Sequence, residues 1–326
     1  MPTTSFSKRA TVAIIPALSC LVSAVFTQNP AAAQELATEP VVVSSEGIPS
    51  AYGAPPGFSR TRISPTVTAY VLPPWTFFFG ELYEGDIFRH GPPDHIFTQE
   101  VEMGLPYRFG VAAEAGFERF NGGGGPRSAS IEMRYALANW NKIPLNPTIF
   151  AEYKFGTGPI RREEMMPPPG EEGEGGEEEE EEEGGPPERP DAYEFRLLLA
   201  QDFGHWLEWA MNWFFEQEVT LDEGREWGFA QSAVTPILLP EERLKVGVEM
   251  LYKNFTTKFS RDDPENMFVV GPTVAWKPSR NTRFDVSALF GCTDESPRAQ
   301  IFGIFSFLIG PAGGAEAEAP VSTRNR

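Results

Sequence analysis

From Trp75 onward, apolar and polar residues alternate in segments of about ten residues. Between 109 and 118, Phe109, Val111, Ala113, Ala115 and Phe117 share one parity, and Gly110, Ala112, Glu114, Gly116 and Glu118 the other. Ile131, Met133, Tyr135 and Leu137 alternate with Glu132, Arg134 and Ala136. Ile149, Ala151, Tyr153 and Phe155 alternate with Phe150, Glu152 and Lys154. A period of two places each set on one face of a β-strand. Twelve strands are predicted, at 75–84, 95–105, 109–120, 129–140, 148–156, 192–202, 205–218, 227–238, 243–255, 267–276, 282–291 and 298–309. A tilted strand of this length crosses the hydrocarbon core of a bilayer. No apolar run of transmembrane-helix length follows the first 33 residues. In lipid, only a closed barrel then satisfies every backbone group. The expected fold is all-β: an antiparallel up-and-down transmembrane β-barrel of about 12 strands over residues 71–310.

The connections alternate in length. Short turns are expected at 106–108, 141–147, 203–204, 239–242 and 277–281, and longer loops at 85–94, 121–128, 157–191 and 256–266. Short turns at one end and longer loops at the other form the outer-membrane pattern, with both termini at the short-turn, periplasmic end. Trp75, Trp140, Trp206 and Trp276 fall at that end. Phe120, Phe155, Trp227, Phe255 and Phe268 fall near the other. Two interfacial aromatic girdles are expected from this segregation.

Ahead of the strands, Lys8 and Arg9 precede the charge-free, mostly apolar stretch 10–26, and Ala31, Ala32 and Ala33 follow. This is the pattern of a secretory signal over residues 1–33. Cys20 raises a lipoprotein alternative, but Ala17 stands where a Leu is expected. Residues 34–70 are rich in Pro, Ser, Ala and Thr and read as an extended periplasmic segment. Residues 311–326 read as a disordered tail.

Charge narrows the partners. Without Lys8 and Arg9 the formal net charge moves from −19 to −21. No basic stripe offsets it, so nucleic acid is excluded. Cys292 is the one cysteine beyond the signal, which excludes an internal disulfide and a CxxC-type zinc site. Ten glutamates lie between 171 and 183, flanked by Gly and Pro, with no apolar residue to bury. They predict a solvated extracellular loop within 157–191 that takes no part in transport.

Residues 95–110, HIFTQEVEMGLPYRFG, follow Pro73, Pro74 and a first strand. They resemble the opening hairpin of bacterial outer-membrane barrels grouped as transporter-like or phenol meta-pathway-like proteins. The likeness in strand plan covers about residues 70–310. It implies an outer-membrane barrel and passage of small molecules, and it carries over no catalytic residue. The chain departs from the usual barrel ending, because Phe305 and Phe307 are followed by a polar tail from Gly310. The partners expected are outer-membrane lipid, the barrel assembly machinery, and small solutes or cations. No cofactor or metal is expected.

The strand faces opposite the apolar ones carry the chemistry. They hold Glu100, Glu102, Glu114, Glu118, Glu132, Glu152, Glu194, Glu208, Glu216, Glu249 and Asp285, with Arg134, Lys154, Arg196, Lys245 and Arg283. Charges facing lipid are costly, so this face must be wet or paired. Two readings follow. One is a channel or transporter with a cation-favouring acidic lumen. The other is a structural or surface-interaction barrel whose lumen is plugged. Glu132 is expected opposite Lys154, and Arg134 opposite Glu152, so that unlike charges meet across strands. Glu100, Glu102, Glu114 and Glu118 crowd one hairpin with no base of its own. They are expected to borrow a distant arginine, bind cations or hold a proton.

Enzyme chemistry finds little support. Arg89 and His90 lack the second arginine a phosphohistidine site needs, and His90, Asp94 and His95 lack a fourth metal ligand. A lipid hydrolase would need a His beside Ser130 or Ser232, whereas His205 falls in a turn. Gly122 to Gly125 are expected in a flexible outer loop.

Overall fold

Bulky apolar side chains on one parity and small or charged ones on the other give twelve strands, and these close into a ring. The computed structural model describes residues 48–55, 57–120, 123–158, 189–219, 223–237, 243–279 and 281–311. They all belong to the compact unit Val43–Arg326. The signal, most of the acidic loop and the tail lie outside the described residues.

A small hairpin comes first, β1 (Arg62–Ser64) and β2 (Val67–Thr68). The barrel strands are β3 (Phe77–Ile87), β4 (Asp94–Leu105), β5 (Phe109–Phe120), β6 (Gly123–Ala136), β7 (Thr148–Gly156) and β8 (Ala192–Phe203), followed by β9 (Leu207–Glu218), β10 (Arg225–Pro236), β11 (Leu244–Thr256), β12 (Glu265–Trp276), β13 (Thr282–Gly291) and β14 (Ala299–Ile309). Each pairs antiparallel with its sequence neighbours, and β14 closes onto β3. The fold is an all-β up-and-down barrel of twelve strands. Closure leaves no unpaired edge. The outer face carries a belt of apolar side chains, among them Ile131 at 60% exposure and Phe195 at 55%. A soluble domain would bury such a surface.

Three expectations are corrected. Residues 123–126 are strand, not loop. Gly123, Gly124 and Gly125 pair with Phe120, Arg119 and Glu118. The register slips at Pro126, so Arg127 is left over as a bulge and meets the Glu118 carboxylate at 3.3 Å. A bulge re-aims one side chain without ending the strand. Trp140 does not join the girdle at the short-turn end. It is buried inside, edge-on to Tyr70 at 5.1 Å, while Trp75, Trp206 and Trp276 are exposed.

The largest correction concerns residues 34–70. Their described part, from Ile48, is not extended outside the barrel but folded within it. The inward positions of β6, β8, β9 and β10 near the short-turn end are small: Ala136, Ala200, Ala210 and Val234. They leave space that the segment fills with Ile63, Val67, Ala69, Tyr70 and Val71. Burying a Val or Leu side chain contributes about 1.5–3 kcal/mol. That offsets an ordering cost of about 1–2 kcal/mol per residue. Tyr70 donates its hydroxyl to the Ala138 carbonyl. Burial, reinforced by Tyr52 and opposed by Arg108, pushes its phenol up to about 12, so it stays a neutral donor. The segment leaves along β4, where Gly104 lies against the carbonyls of Leu72 and Pro73; any side chain there would collide with them.

Candidate functional site

The segment divides the lumen into two levels. Toward the short-turn end it is packed and anchored. Toward the loop end it leaves a chamber of about 260 Å³, floored by Arg62, Pro65, Thr66 and Thr68 at the tip of the β1–β2 hairpin.

The anchors are polar groups of the barrel wall. Arg283 donates to the carbonyls of Ser59, Arg62 and Ile63 at 3.2, 2.8 and 3.1 Å and is held by Asp285 at 2.6 Å. Glu249 accepts from the Thr66 amide at 2.8 Å, from the Thr66 hydroxyl and from Ser287. Lys245 pairs with Glu208 at 2.6 Å and lies over the Phe58 ring at 4.2 Å. Arg60 reaches Asp202 at 2.8 Å. These inward charges therefore serve the segment: Glu208, Glu249, Arg283 and Asp285 lie on this level. A planar fork lets one arginine hold several acceptors that an ammonium cannot. Arg283→Lys is expected to keep the barrel folded and lower amide-exchange protection over 58–68 by about tenfold, the worth of one lost charged hydrogen bond. Unchanged protection there would show that apolar packing alone seats the segment.

The other inward charges gather in clusters. Arg134, 2% exposed, pairs with Glu132 at 2.6 Å, Glu102 at 2.7 Å and Glu100 at 3.3 Å. Arg62 comes from the internal segment to meet Glu100 at 2.8 Å. Glu118 is held by Arg127 and by Arg189 at 2.9 Å. Three of the four crowded glutamates thus borrow an arginine from elsewhere, as expected. Glu114 makes no ion pair among the described residues. Glu100, Glu114 and Glu132 place carboxylate oxygens within 4.8 Å of one another.

A second cluster lies on β7 to β9. Lys154 pairs with Glu194 at 2.9 Å, with Glu152 at 3.8 Å and with Glu216. Arg196 pairs with Glu194 and lies over the Phe150 ring at 4.7 Å. Arg134 approaches the same ring at 5.5 Å, so one buried phenyl ring separates two guanidiniums. The expected facing pairs are corrected here. Glu132 stands opposite Glu152, Ser130 opposite Lys154, and Arg134 opposite Phe150. Register follows the packing of Phe150 and Thr148 and the turn at 137–147. The charges then find partners along the same strand or by reaching further strands.

Sequence reading missed several chamber residues. Glu84, Glu226 and Lys253 line it. Lys253 continues the Lys245, Glu249, Leu251 parity and was legible. Glu226 precedes the predicted start of its strand. Asn212 is inward on β9, 1% exposed, and neither polar atom of its amide has a partner among the described residues. His95 faces outward and meets the Tyr83 hydroxyl at 2.9 Å.

No family profile matches the sequence, and no characterised protein is similar to it in sequence. In structure the chain is similar to an outer-membrane channel from Pseudomonas putida F1, with a TM-score of 0.51 and 10% identity over 74% of this chain and 97% of that one. Weaker likenesses are to the KdgM porin, with a TM-score of 0.42 and 10% identity over 71% of this chain and 98% of that one, and to the CymD monoaromatic hydrocarbon channel, with a TM-score of 0.42 and 8% identity over 73% and 89%. The first likeness establishes a shared barrel fold.

Proposed function

We propose that the protein is an outer-membrane barrel that admits small solutes through an acidic, cation-favouring chamber, with its short-turn end at the periplasm. The observation that carries this is the chamber lining. Seven carboxylates (Glu84, Glu114, Glu132, Glu152, Glu194, Glu216 and Glu226) face four basic groups (Arg62, Lys154, Arg196 and Lys253). Carboxylate excess in a low-dielectric lumen raises the local cation concentration. The exposed apolar belt supports lipid around the barrel, reached by secretory export and inserted by the barrel assembly machinery. The internal segment favours a second reading, a structural or surface-interaction barrel that is permanently plugged.

Planar-bilayer recording separates the two. Under a salt gradient, the channel reading expects a small conductance whose reversal potential has the sign of a cation-selective pore. Glu114→Gln together with Glu216→Gln should weaken that selectivity. Anion selectivity removes the cation-favouring reading. Absence of any current in a correctly folded sample favours the plugged structural barrel.

A further inference from the structure

We propose that the loop-end chamber is a binding site for a small amphipathic organic cation, an ammonium group carried on an apolar body. The inference rests on the chamber being the solute-accessible level of the lumen, as read above.

The chamber has two unlike walls. One, on β5 to β9, carries Glu114, Glu132, Glu152, Lys154, Glu194 and Glu216. The other carries the inward Leu82, Ile96, Leu251, Phe302 and Ile304 from β3, β4, β11 and β14, interrupted by Glu84 and Lys253. A purely ionic route has no use for the second wall, and a purely apolar ligand would leave the first without a partner. A solute with a charged head and an apolar body matches both.

Charge around Glu114 fixes the sign of the head. Glu100, Glu102, Glu114 and Glu132 share two guanidiniums, Arg62 and Arg134. Glu114 is the member left without a base, and it lies at the chamber surface. Three carboxylates with oxygens within 4.8 Å of one another, Glu100, Glu114 and Glu132, need a proton or a cation beside them. An ammonium group supplies the charge and up to three donors.

Unpartnered polar atoms mark the same space independently. Asn212 lines the chamber, 1% exposed, and its amide nitrogen and oxygen have no partner among the described residues. The hydroxyl of Ser130 also has none; it is buried on the same face, in direct cross-strand register with Glu114. A buried amide without partners costs about 1–3 kcal/mol. The Asn212 amide offers one donor group and one acceptor to a ligand in the chamber. A chamber of about 260 Å³ takes a fragment-sized molecule.

The test uses the full-length protein in detergent and isothermal titration at constant ionic strength. The probes are 2-phenylethylamine, neutral 2-phenylethanol and anionic phenylacetate, which share one apolar body. The amine is expected to bind about tenfold or more tighter than the alcohol, and phenylacetate weakest, from one charge-assisted contact. Glu114→Gln should weaken the amine about tenfold and leave the alcohol unchanged; Asn212→Leu should weaken both. Equal affinity for the three probes, no binding of the amine, or unchanged amine affinity in a folded Glu114→Gln protein overturns the proposal. If Glu114→Gln does not fold, the probe comparison on the unaltered protein decides. Binding requires no current, so a non-conducting barrel that still prefers the amine retires the channel reading and keeps the site.

Discussion

Deleting residues 48–70, with Val71 to Thr76 kept to lead into β3, is expected to raise single-channel conductance by about tenfold or more. This stretch fills the short-turn half of the lumen, packed on Ala136, Ala200, Ala210 and Val234 and held by Glu249 and Arg283. A barrel of this strand number has an interior wide enough for water once an internal element is removed. The barrel itself should survive. Its twelve ladders are intact without β1 and β2, which pair only with one another. The cost falls on the anchors: Asp285 keeps Arg283, whereas Glu249 loses Thr66 and retains Ser287. Planar-bilayer conductance and heat-modifiable gel mobility measure the two halves of this expectation. A folded deletion protein with unchanged conductance would show that the segment does not close the lumen.

Arg134→Met should be the most damaging single substitution of the lumen, at about 3–5 kcal/mol. Met is similar in length and can still lie against Phe150. What disappears is the counter-charge for Glu100, Glu102 and Glu132, all buried. Arg62 remains for Glu100 alone. The desolvation cost of the carboxylates is then unopposed. The temperature at which heat-modifiable mobility is lost should fall clearly. Adding Glu132→Gln and Glu102→Gln should recover much of the loss, because it removes the charges rather than replacing their partner. If Arg134→Met melts like the unaltered protein, the triad is not load-sharing, and water or bound cations already neutralise it.

Strand positions were legible because period two needs only side-chain size and polarity. β5, β7 and β13 begin and end where the alternation places them. The start of β6 was not, because Gly123, Gly124 and Gly125 have no side chains with which to alternate. The inward parity of Glu100, Glu132, Glu152, Glu194 and Asp285 was readable for the same reason as the strands. Their pairing was not. Direct cross-strand opposition is only one way for long side chains to meet, and Arg134 satisfies three carboxylates without an opposite one. The internal segment was hidden by its composition. Pro, Ser and Ala read as linker, and its hydrogen bonds go to a wall made far away in sequence. The signal present was the apolar run Ala69, Tyr70, Val71 and Leu72, too short for a barrel strand yet too apolar for a solvated linker. Trp140 was misplaced with it, since its partner Tyr70 belongs to that run.

The seating of the N-terminal segment has a consequence for the order of assembly. Thr66 is held by Glu249, 183 residues further along, and Ser59 by Arg283, 224 residues further along. The first barrel strand, β3, likewise waits for the last, β14. The first described part of the chain to be synthesised is therefore among the last to find its contacts. Hairpins such as β4–β5 can form early from local contacts, whereas ring closure and segment docking carry the loop-closure entropy of nearly the whole chain. Both events close over the same interior. A ring that zips shut first leaves the segment only the mouth of the barrel to enter by, whereas a ring still open between β3 and β14 can close around a stretch already drawn inward.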